Sequence, residues 1–292
     1  MKRELIAQRT PKSPIAEVFR TLRTNIQFMN SKKSMKTLLV TSTMPGEGKS
    51  WVAANLAITF AQAGKKVLII DADMRKGRQH VMFNIENKIG LSNFLSGIDE
   101  LGRNENLDIL KYVRATEIQN LFLIPAGNVP PNPSELLASE TTINMIEKLK
   151  EVFDFIIFDG TPGLLVTDAL IVARLVDSTV IVTAHNSTKK ENLEKVKKDI
   201  ENVGGNIVGV ILNKIPINAK KYMETYYYSS TTNMPATVKK NTVVREKRET
   251  TSNSPKTDYV FEKNDNIYVV YTKEAQTADN YIEKVTHDLS KK

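Results

Sequence analysis

Thr43-Met44-Pro45-Gly46-Glu47-Gly48-Lys49-Ser50 sets two glycines, an amine and a hydroxyl in one short run. Glycines take backbone angles closed to residues with a Cβ, so consecutive N–H groups around Gly46 and Gly48 can turn inward about phosphate oxygens. Lys49 then supplies a mobile cation for those oxygens, and Ser50 a hydroxyl suited to a hard divalent cation such as Mg2+. The usual pattern for such a loop begins with glycine; Thr43 stands there instead. Asp71 and Asp73 follow the apolar run Val67-Leu68-Ile69-Ile70, and Asp159 follows Phe155-Ile156-Ile157-Phe158. Three carboxylates beside a phosphate loop can hold Mg2+ and accept a proton from a nucleophile. Arg75-Lys76-Gly77-Arg78 either neutralises a transferring phosphate or forms a solvated patch. The isolated Asp168 and Asp177 read as a turn former or helix cap.

Positioning these groups requires strands that end at one edge. The apolar runs Lys36 to Ser42, Lys66 to Asp71, Leu121 to Ala126, Phe155 to Asp159, Thr179 to Ala184 and Asn206 to Asn213 are strand candidates. They are continuous rather than alternating, as strands buried on both faces are. Helical patterns lie between them. Val52, Leu56 and Phe60 mark one face of an amphipathic helix over Trp51 to Ala63 that stops at Gly64, and Leu193, Val196 and Ile200 mark a later one. The alternation implies an α/β fold of the P-loop NTPase type, a mostly parallel sheet with helices on both faces, whose ligand site lies at the carboxyl ends of the strands. Upstream, Ser13 and Pro14 read as an N-cap and first-turn pair. Ile15, Val18, Phe19, Leu22, Ile26 and Met29 form the apolar face of that helix, and Glu17, Arg20 and Arg23 lie on another.

With 292 residues, 41% of them hydrophobic, the chain can bury a full core as one large domain or one domain plus a tail. The absence of cysteine excludes disulfides, thiolate metal sites, iron–sulfur clusters and cysteine nucleophiles. Met1-Lys2-Arg3-Glu4 precedes no apolar signal core, and Leu164 to Ala184 is interrupted by Asp168, Arg174 and Asp177, so the chain itself is not expected to span a membrane. The net charge of +8 is spread along the sequence and reads as a basic surface or an affinity for an acidic partner.

Tyr222, Tyr226, Tyr227 and Tyr228 crowd the polar segment after the α/β pattern ends, with Ser229, Ser230, Thr231 and Thr232 behind them. Without periodic apolar neighbours they cannot build a core, and they read as an accessible tail. Residues 229 to 257 have the composition of a linker. Beyond them, Tyr259-Val260-Phe261 and Ile267-Tyr268-Val269-Val270-Tyr271 could pair across Asn264-Asp265-Asn266, ahead of a helix carrying Ile282, Val285 and Leu289.

Together these motifs resemble the bacterial tyrosine kinases (BY-kinases) across roughly residues 13 to 228. Pro45 to Ser50 is similar to their Walker A motif, Ile69-Ile70-Asp71-Ala72-Asp73-Met74-Arg75 to their Walker A′, and Phe158-Asp159-Gly160-Thr161-Pro162 to their Walker B, where the family usually has Thr-Pro-Pro after the aspartate. Pro130-Pro131-Asn132-Pro133-Ser134-Glu135-Leu136-Leu137 and Val166-Thr167-Asp168-Ala169 extend the match. Glu17-x-x-Arg20-x-x-Arg23 resembles the subunit-contact motif of these kinases.

The resemblance implies an autokinase that uses Mg-ATP to phosphorylate Tyr222, Tyr226, Tyr227 and Tyr228 of a neighbouring copy in a ring-like homo-oligomer. It implies a catalytic set of Lys49, Asp71, Asp73 and Asp159, with Asp71 activating tyrosine. Ser50, Asp71 and Asp159 would hold Mg2+, and ATP would meet Pro45, Gly46, Glu47, Gly48, Lys49, Ser50, Trp51 and Asn213, the last against adenine. It implies a cytoplasmic subunit of capsule or exopolysaccharide synthesis, brought to the inner face of the cell membrane by a separate transmembrane activator and acting on protein tyrosines. A nucleic-acid partner is not expected. The expected organisation is an N-terminal segment and oligomerisation helix (1–35), an ATP-binding kinase domain (36–217), the tyrosine cluster (218–232) and a linker with a C-terminal extension (233–292). Two alternatives share the loop: a ParA/MinD-type ATPase switch, whose loop carries an extra lysine about where Met44 stands, and a nucleotide-gated interaction module without kinase activity. A GTPase is disfavoured, because Asn213-Lys214-Ile215-Pro216 lacks the aspartate that reads guanine.

Overall fold

The computed structural model describes residues 4–29, 35–98, 108–214 and the backbone of 269–272. In chain order the elements are α1 (Ile6–Arg9), α2 (Pro14–Met29), β1 (Thr37–Ser42), α3 (Lys49–Gln62), β2 (Val67–Asp71), α4 (Gln79–Phe83) and α5 (Leu91–Leu95). A 3-10 turn (Ile109–Tyr112) leads to β3 (Arg114–Ala115) and β4 (Leu121–Ile124). Then come α6 (Pro133–Leu137), α7 (Glu140–Val152), β5 (Phe155–Pro162), α8 (Asp168–Leu175), β6 (Ser178–Ala184), α9 (Lys190–Asn202), β7 (Ile207–Asn213) and β8 (Val269–Thr272).

The strands form one sheet in the order β3-β4-β2-β5-β1-β6-β7-β8. The six inner strands are parallel; β3 and β8 are the antiparallel edges. The expected α/β architecture is present. Alternate residues along each strand enter opposite cores: Leu38, Val40, Val67 and Ile69 pack with α1, α2 and α3, while Leu39, Leu68 and Ile70 pack with α5, α7, α8 and α9. Burial on both faces is why the strands are unbroken apolar runs.

All six expected strands occur, with shifted ends. β4 stops before Pro125 because the carbonyls of Pro125 and Ala126 accept from the N–H groups of Leu91 and Ser92 at the start of α5. β5 continues past Asp159 to Pro162, where it still pairs with Ser42 across a register shift in β1. Thr41 Oγ1 donates to the Thr161 carbonyl at 2.6 Å and holds that extension.

The helix after the loop departs from expectation more strongly. Every residue of α3 from Val52 to Ala61 is buried, so the helix is enclosed all round rather than amphipathic. Its outer face carries Asn55 and Thr59 and is roofed by α1 and α2. Asn55 Oδ1 accepts from Ala7 N at 2.9 Å, Asn55 Nδ2 donates to the Glu4 carbonyl at 3.0 Å, and Gln62 Nε2 donates to the Ala7 carbonyl at 3.0 Å. These polar groups hold the N-terminal segment on the helix that follows the phosphate loop. The apolar face of α2 is buried as expected through Ile15, Val18, Phe19, Leu22 and Ile26, and Ser13 Oγ accepts from Ala16 N at 3.2 Å.

Asp177 is neither a helix cap nor a lone turn former. Its carboxylate accepts from Lys36 N and Thr37 N, both at 2.8 Å, and from Thr37 Oγ1 at 2.9 Å, which fastens the start of β1 to the start of β6. From the C-terminal extension, residues 269–272 run antiparallel along β7, with Leu212 opposite Val269. The expected partner of that run, residues 259–261, lies outside the described residues, as does the expected helix after it. Among the described residues no helix is long and apolar enough to cross a membrane.

Candidate active site

β1 delivers the loop at the centre of the sheet, and the loop opens α3. Gly46 and Gly48 hold φ of 81° and 102°, left-handed angles that favour glycine. A Cβ on Gly46 would meet nothing within 4 Å, whereas one on Gly48 would lie 2.0 Å from Asn213 Nδ2. Asn213 therefore stands directly behind the loop, and its Nδ2 donates to the Glu47 carbonyl at 2.7 Å. The side chain expected against adenine thus braces the loop from the end of β7.

Glu47 is a strut as well. Its buried carboxylate accepts from Thr43 Oγ1 and Met44 N, both at 2.8 Å, and from Thr188 Oγ1. Thr43, in place of the pattern's first glycine, thus supplies a hydroxyl that ties the loop's entry to its middle. Thr188 was not singled out in the sequence: it lies far along the chain, and only the neighbouring strand β6 brings it to the loop.

The loop borders a cavity of about 430 Å3 lined by Pro45, Gly46, Lys49, Ser50, Trp51 and Asp73, among others. Lys49 Nζ lies 3.0 Å from Asp73 Oδ2, 3.3 Å from Ser50 Oγ and 3.8 Å from Asp159 Oδ1. Asp71 and Asp159 are opposite one another on β2 and β5 and are fully buried. The strands therefore bring together Lys49, Ser50 and all three carboxylates; of the carboxylates, Asp73 lines the cavity and the other two do not.

Burial pushes the Asp71 carboxyl well above the usual range, and the neighbouring Asp159 pushes it further. Burial raises Asp159 too, against the pull of Lys49. For Lys49 burial acts downward but is outweighed by Asp159 and Asp73, so its ammonium is held more firmly than usual.

One residue carrying no sequence signal connects this group. Gln79, the first residue of α4 and fully buried, donates through its backbone N to Asp71 Oδ2 at 2.9 Å. Its Nε2 donates to the Ser50 carbonyl at 2.9 Å and to Asp159 Oδ2 at 2.8 Å. Asp71 Oδ1, Asp159 Oδ1 and Gln79 Oε1 stay buried without a hydrogen-bond partner. A hydroxyl beside two carboxylates, each with one oxygen that accepts no hydrogen bond, is an all-oxygen donor set, which suits Mg2+. Among the described residues no three acidic or histidine side chains form a ready-made metal cage. Mg2+ typically keeps several waters and shares a nucleotide's phosphates, so the residues present fit that ion in company with a nucleotide.

The basic run after Asp73 divides. Arg75 pairs with the buried Asp168 through Nε at 2.8 Å and Nη2 at 3.1 Å, and Ser134 Oγ also donates to Asp168 at 2.5 Å. Asp168 is thus an ion-pair hub joining the loop after β2 to α6 and α8, more than a cap. Arg78 reaches Glu4 at 3.4 Å. On α2, Arg20 pairs with Glu17 and also donates to the Pro11 carbonyl, and Arg23 Nη1 donates to the Thr59 carbonyl at 2.9 Å. Arg23 thereby ties α2 to α3 within one copy, while Glu17 remains half exposed. Tyr222, Tyr226, Tyr227 and Tyr228 lie outside the described residues.

Residues 35–211 match the AAA domain family. The chain is 42% identical over 218 residues to the putative tyrosine-protein kinase CapB of Staphylococcus aureus, covering 75% of this chain and 91% of that protein. It is 38% identical to the tyrosine-protein kinase YwqD of Bacillus subtilis, covering 80% and 94%. Among solved structures, the chimerical protein CapA2B2 superposes with a TM-score of 0.69 at 38% identity, over 74% of this chain and 92% of that one. The cell division ATPase MinD of Pyrococcus furiosus reaches a TM-score of 0.50 at 24% identity, a likeness of fold alone. A nucleotide-binding fold, the three motifs gathered around Lys49, and relatives of this closeness along most of their length agree: the chain belongs to the bacterial tyrosine kinase family.

Proposed function

We propose that this chain transfers the γ-phosphate of ATP to tyrosines of its own C-terminal cluster, Tyr222, Tyr226, Tyr227 and Tyr228, carried by a neighbouring copy. The observation that supports this best is the position of Lys49, 3.0 Å from Asp73 on the cavity wall and 3.8 Å from the buried Asp159. The glycine loop with Pro45 to Trp51 takes the phosphates. Ser50, Asp71 and Asp159 would hold Mg2+, which would shield charge on the phosphates. Asp71, at the end of β2 behind the cavity wall, accepts the phenol proton once the site is loaded. The phenolate oxygen bonds the γ-phosphorus as the bond to the departing ADP oxygen breaks, and Lys49 neutralises charge on the transferred group. Asp73 keeps the Lys49 ammonium in place.

The wider reading rests on kinship. The half-exposed Glu17 and Arg20, with Arg23, are proposed to contact the next subunit of a ring. A separate transmembrane activator is proposed to recruit the chain to the inner face of the membrane for capsule or exopolysaccharide synthesis, with residues 36–217 as the kinase domain and 218–232 as its acceptor tail.

The test mixes a Lys49→Met chain with wild-type chain and Mg-ATP and maps phosphosites by mass spectrometry. Phosphotyrosine at residues 222–228 of the Lys49→Met chain is the expected result. ATP binding without phosphotyrosine on either chain would overturn the proposal in favour of a nucleotide-gated interaction module.

A further inference from the structure

We infer that Gln79 is the positioning residue of the nucleotide site, the group that holds Ser50, Asp71 and Asp159 so that a divalent cation can be bound together with nucleotide. The inference rests on the reading of the cavity as an Mg-nucleotide site, and it assigns a residue that none of the three motifs contains.

The geometry is specific. A primary amide offers two donors, and both of those on Gln79 Nε2 are engaged, one by the Ser50 carbonyl and one by Asp159 Oδ2. The amide cannot be turned over, because its oxygen would then face a carbonyl and a carboxylate. Its backbone N–H takes Asp71 Oδ2. Gln79 therefore occupies one oxygen of each carboxylate and leaves the other, Oδ1 in both cases, buried without a hydrogen-bond partner, that of Asp159 facing the Lys49 ammonium at 3.8 Å. Its own Oε1 is a third buried oxygen without one. Buried acceptors left free in a well-packed interior are costly and rare, and the waters of a hydrated cation are the donors such a cluster suits.

The approach of α4 to this cluster is itself built in. A Cβ on Gly77 would sit 2.7 Å from Asp71 Oδ2 and 2.7 Å from the Ala126 side chain, so only a glycine there lets the chain pass close enough for Gln79 to reach across. Partners that orient metal ligands are worth about 10- to 100-fold in metal affinity elsewhere.

The experiment is calorimetric titration of the full-length chain with ADP, once with Mg2+ and once with EDTA, alongside thermal unfolding. The variants are Gln79→Met, which keeps the volume without the side-chain donors, and Gln79→Glu, which keeps the length and replaces those donors with acceptors; both keep the backbone N–H that donates to Asp71. The expected result is metal-free ADP affinity within about threefold of wild type and an Mg2+-dependent gain in affinity reduced about 10- to 100-fold in both variants. The inference is overturned if the Mg2+-dependent gain survives, if wild type gains nothing from Mg2+, or if metal-free binding falls in step with the melting temperature, which would make Gln79 only a prop of the fold. Wild-type phosphotyrosine is scored separately: its absence with Mg2+-dependent binding intact removes the kinase reading and leaves the assignment of Gln79 standing.

Discussion

The two loop glycines share a left-handed backbone but should fail in different ways when each is replaced by alanine. Holding an alanine in that region costs about 1–2 kcal/mol, and the stiffer unfolded chain returns about 0.4–1 kcal/mol. Around Gly46 there is open space, so Gly46→Ala should cost about 1 kcal/mol of stability and little more. Its methyl would instead intrude on the phosphate space, so nucleotide affinity should fall while the fold stays intact. Around Gly48 the added methyl would lie 2.0 Å from Asn213 Nδ2, well inside any real contact. Asn213 would have to swing away and give up its 2.7 Å bond to the Glu47 carbonyl. Leaving that buried pair unmade adds about 1–3 kcal/mol, for a total of about 2–4 kcal/mol. In a domain of this size, each kcal/mol shifts the melting temperature by about 2–4 °C. Gly48→Ala should therefore melt at least about 4 °C below wild type without ligand, and Gly46→Ala only about 2–4 °C below. The double variant Gly48→Ala/Asn213→Ala removes the obstructing amide and should be less destabilised than the two single losses added together. Melting curves of wild type, Gly46→Ala, Gly48→Ala, Asn213→Ala and the double variant, read beside calorimetric ADP titrations, make the comparison. If Gly48→Ala is no worse than Gly46→Ala, or if the two losses at 48 and 213 simply add, then Asn213 does not brace the loop and the reasoning fails.

Two further outcomes follow from the groups that anchor the sheet and the N-terminal segment. Asp177→Ala removes an acceptor of two backbone N–H groups and one hydroxyl and should cost about 2–3 kcal/mol in denaturant unfolding at neutral pH. Burial acts to raise the Asp177 carboxyl, but the bonds from Lys36 and Thr37 outweigh it and hold the folded value below normal. Its stabilisation is thus present above the unfolded value of about 3.9 and is lost as pH falls through the folded one. The lead of wild type over the variant should narrow in that acid window; a constant lead would contradict the assignment. Asn55→Leu deprives Ala7 N and the Glu4 carbonyl of their partner and should cost about 1–3 kcal/mol. It should also speed proteolytic cleavage within residues 4–9, and unchanged cleavage would show that the segment is held by other contacts.

What was legible in the sequence was whatever is encoded locally. The glycine run between an apolar strand and a helix, and carboxylates directly after apolar runs, state their positions within a few residues, and the parallel sheet carries each to the same edge. Groups whose roles depend on distant partners were hidden. Thr188 meets Glu47, Ser134 meets Asp168, and Gln79 meets Asp159 only after the sheet is assembled. The enclosure of α3 was hidden for a related reason. Asn55 and Thr59 look like a solvent face, yet both are buried and bond to the backbone of the N-terminal segment, of α2 or of their own turn. Polarity marks exposure only where no other part of the chain supplies the hydrogen-bond partners.

The charges of the site also account for its ordering of events on the proposed reading. Asp71, Asp73 and Asp159 converge on the single ammonium of Lys49, while the adjacent guanidinium of Arg75 is taken by Asp168 and the Glu47 carboxylate is bound up in the loop. Asp71 and Asp159 lie side by side in the interior, so burial raises the proton affinity of both and Asp159 raises that of Asp71 further. A protonated Asp71 cannot accept another proton from a phenol. Divalent charge beside these carboxylates reverses that preference, because a nearby cation favours their ionised forms. The phosphates, for their part, would be taken by the N–H groups of the loop rather than set against the carboxylates. On the proposed reading, Mg-nucleotide would therefore favour Asp71 as a base, which would couple acceptor activation to occupancy of the donor site.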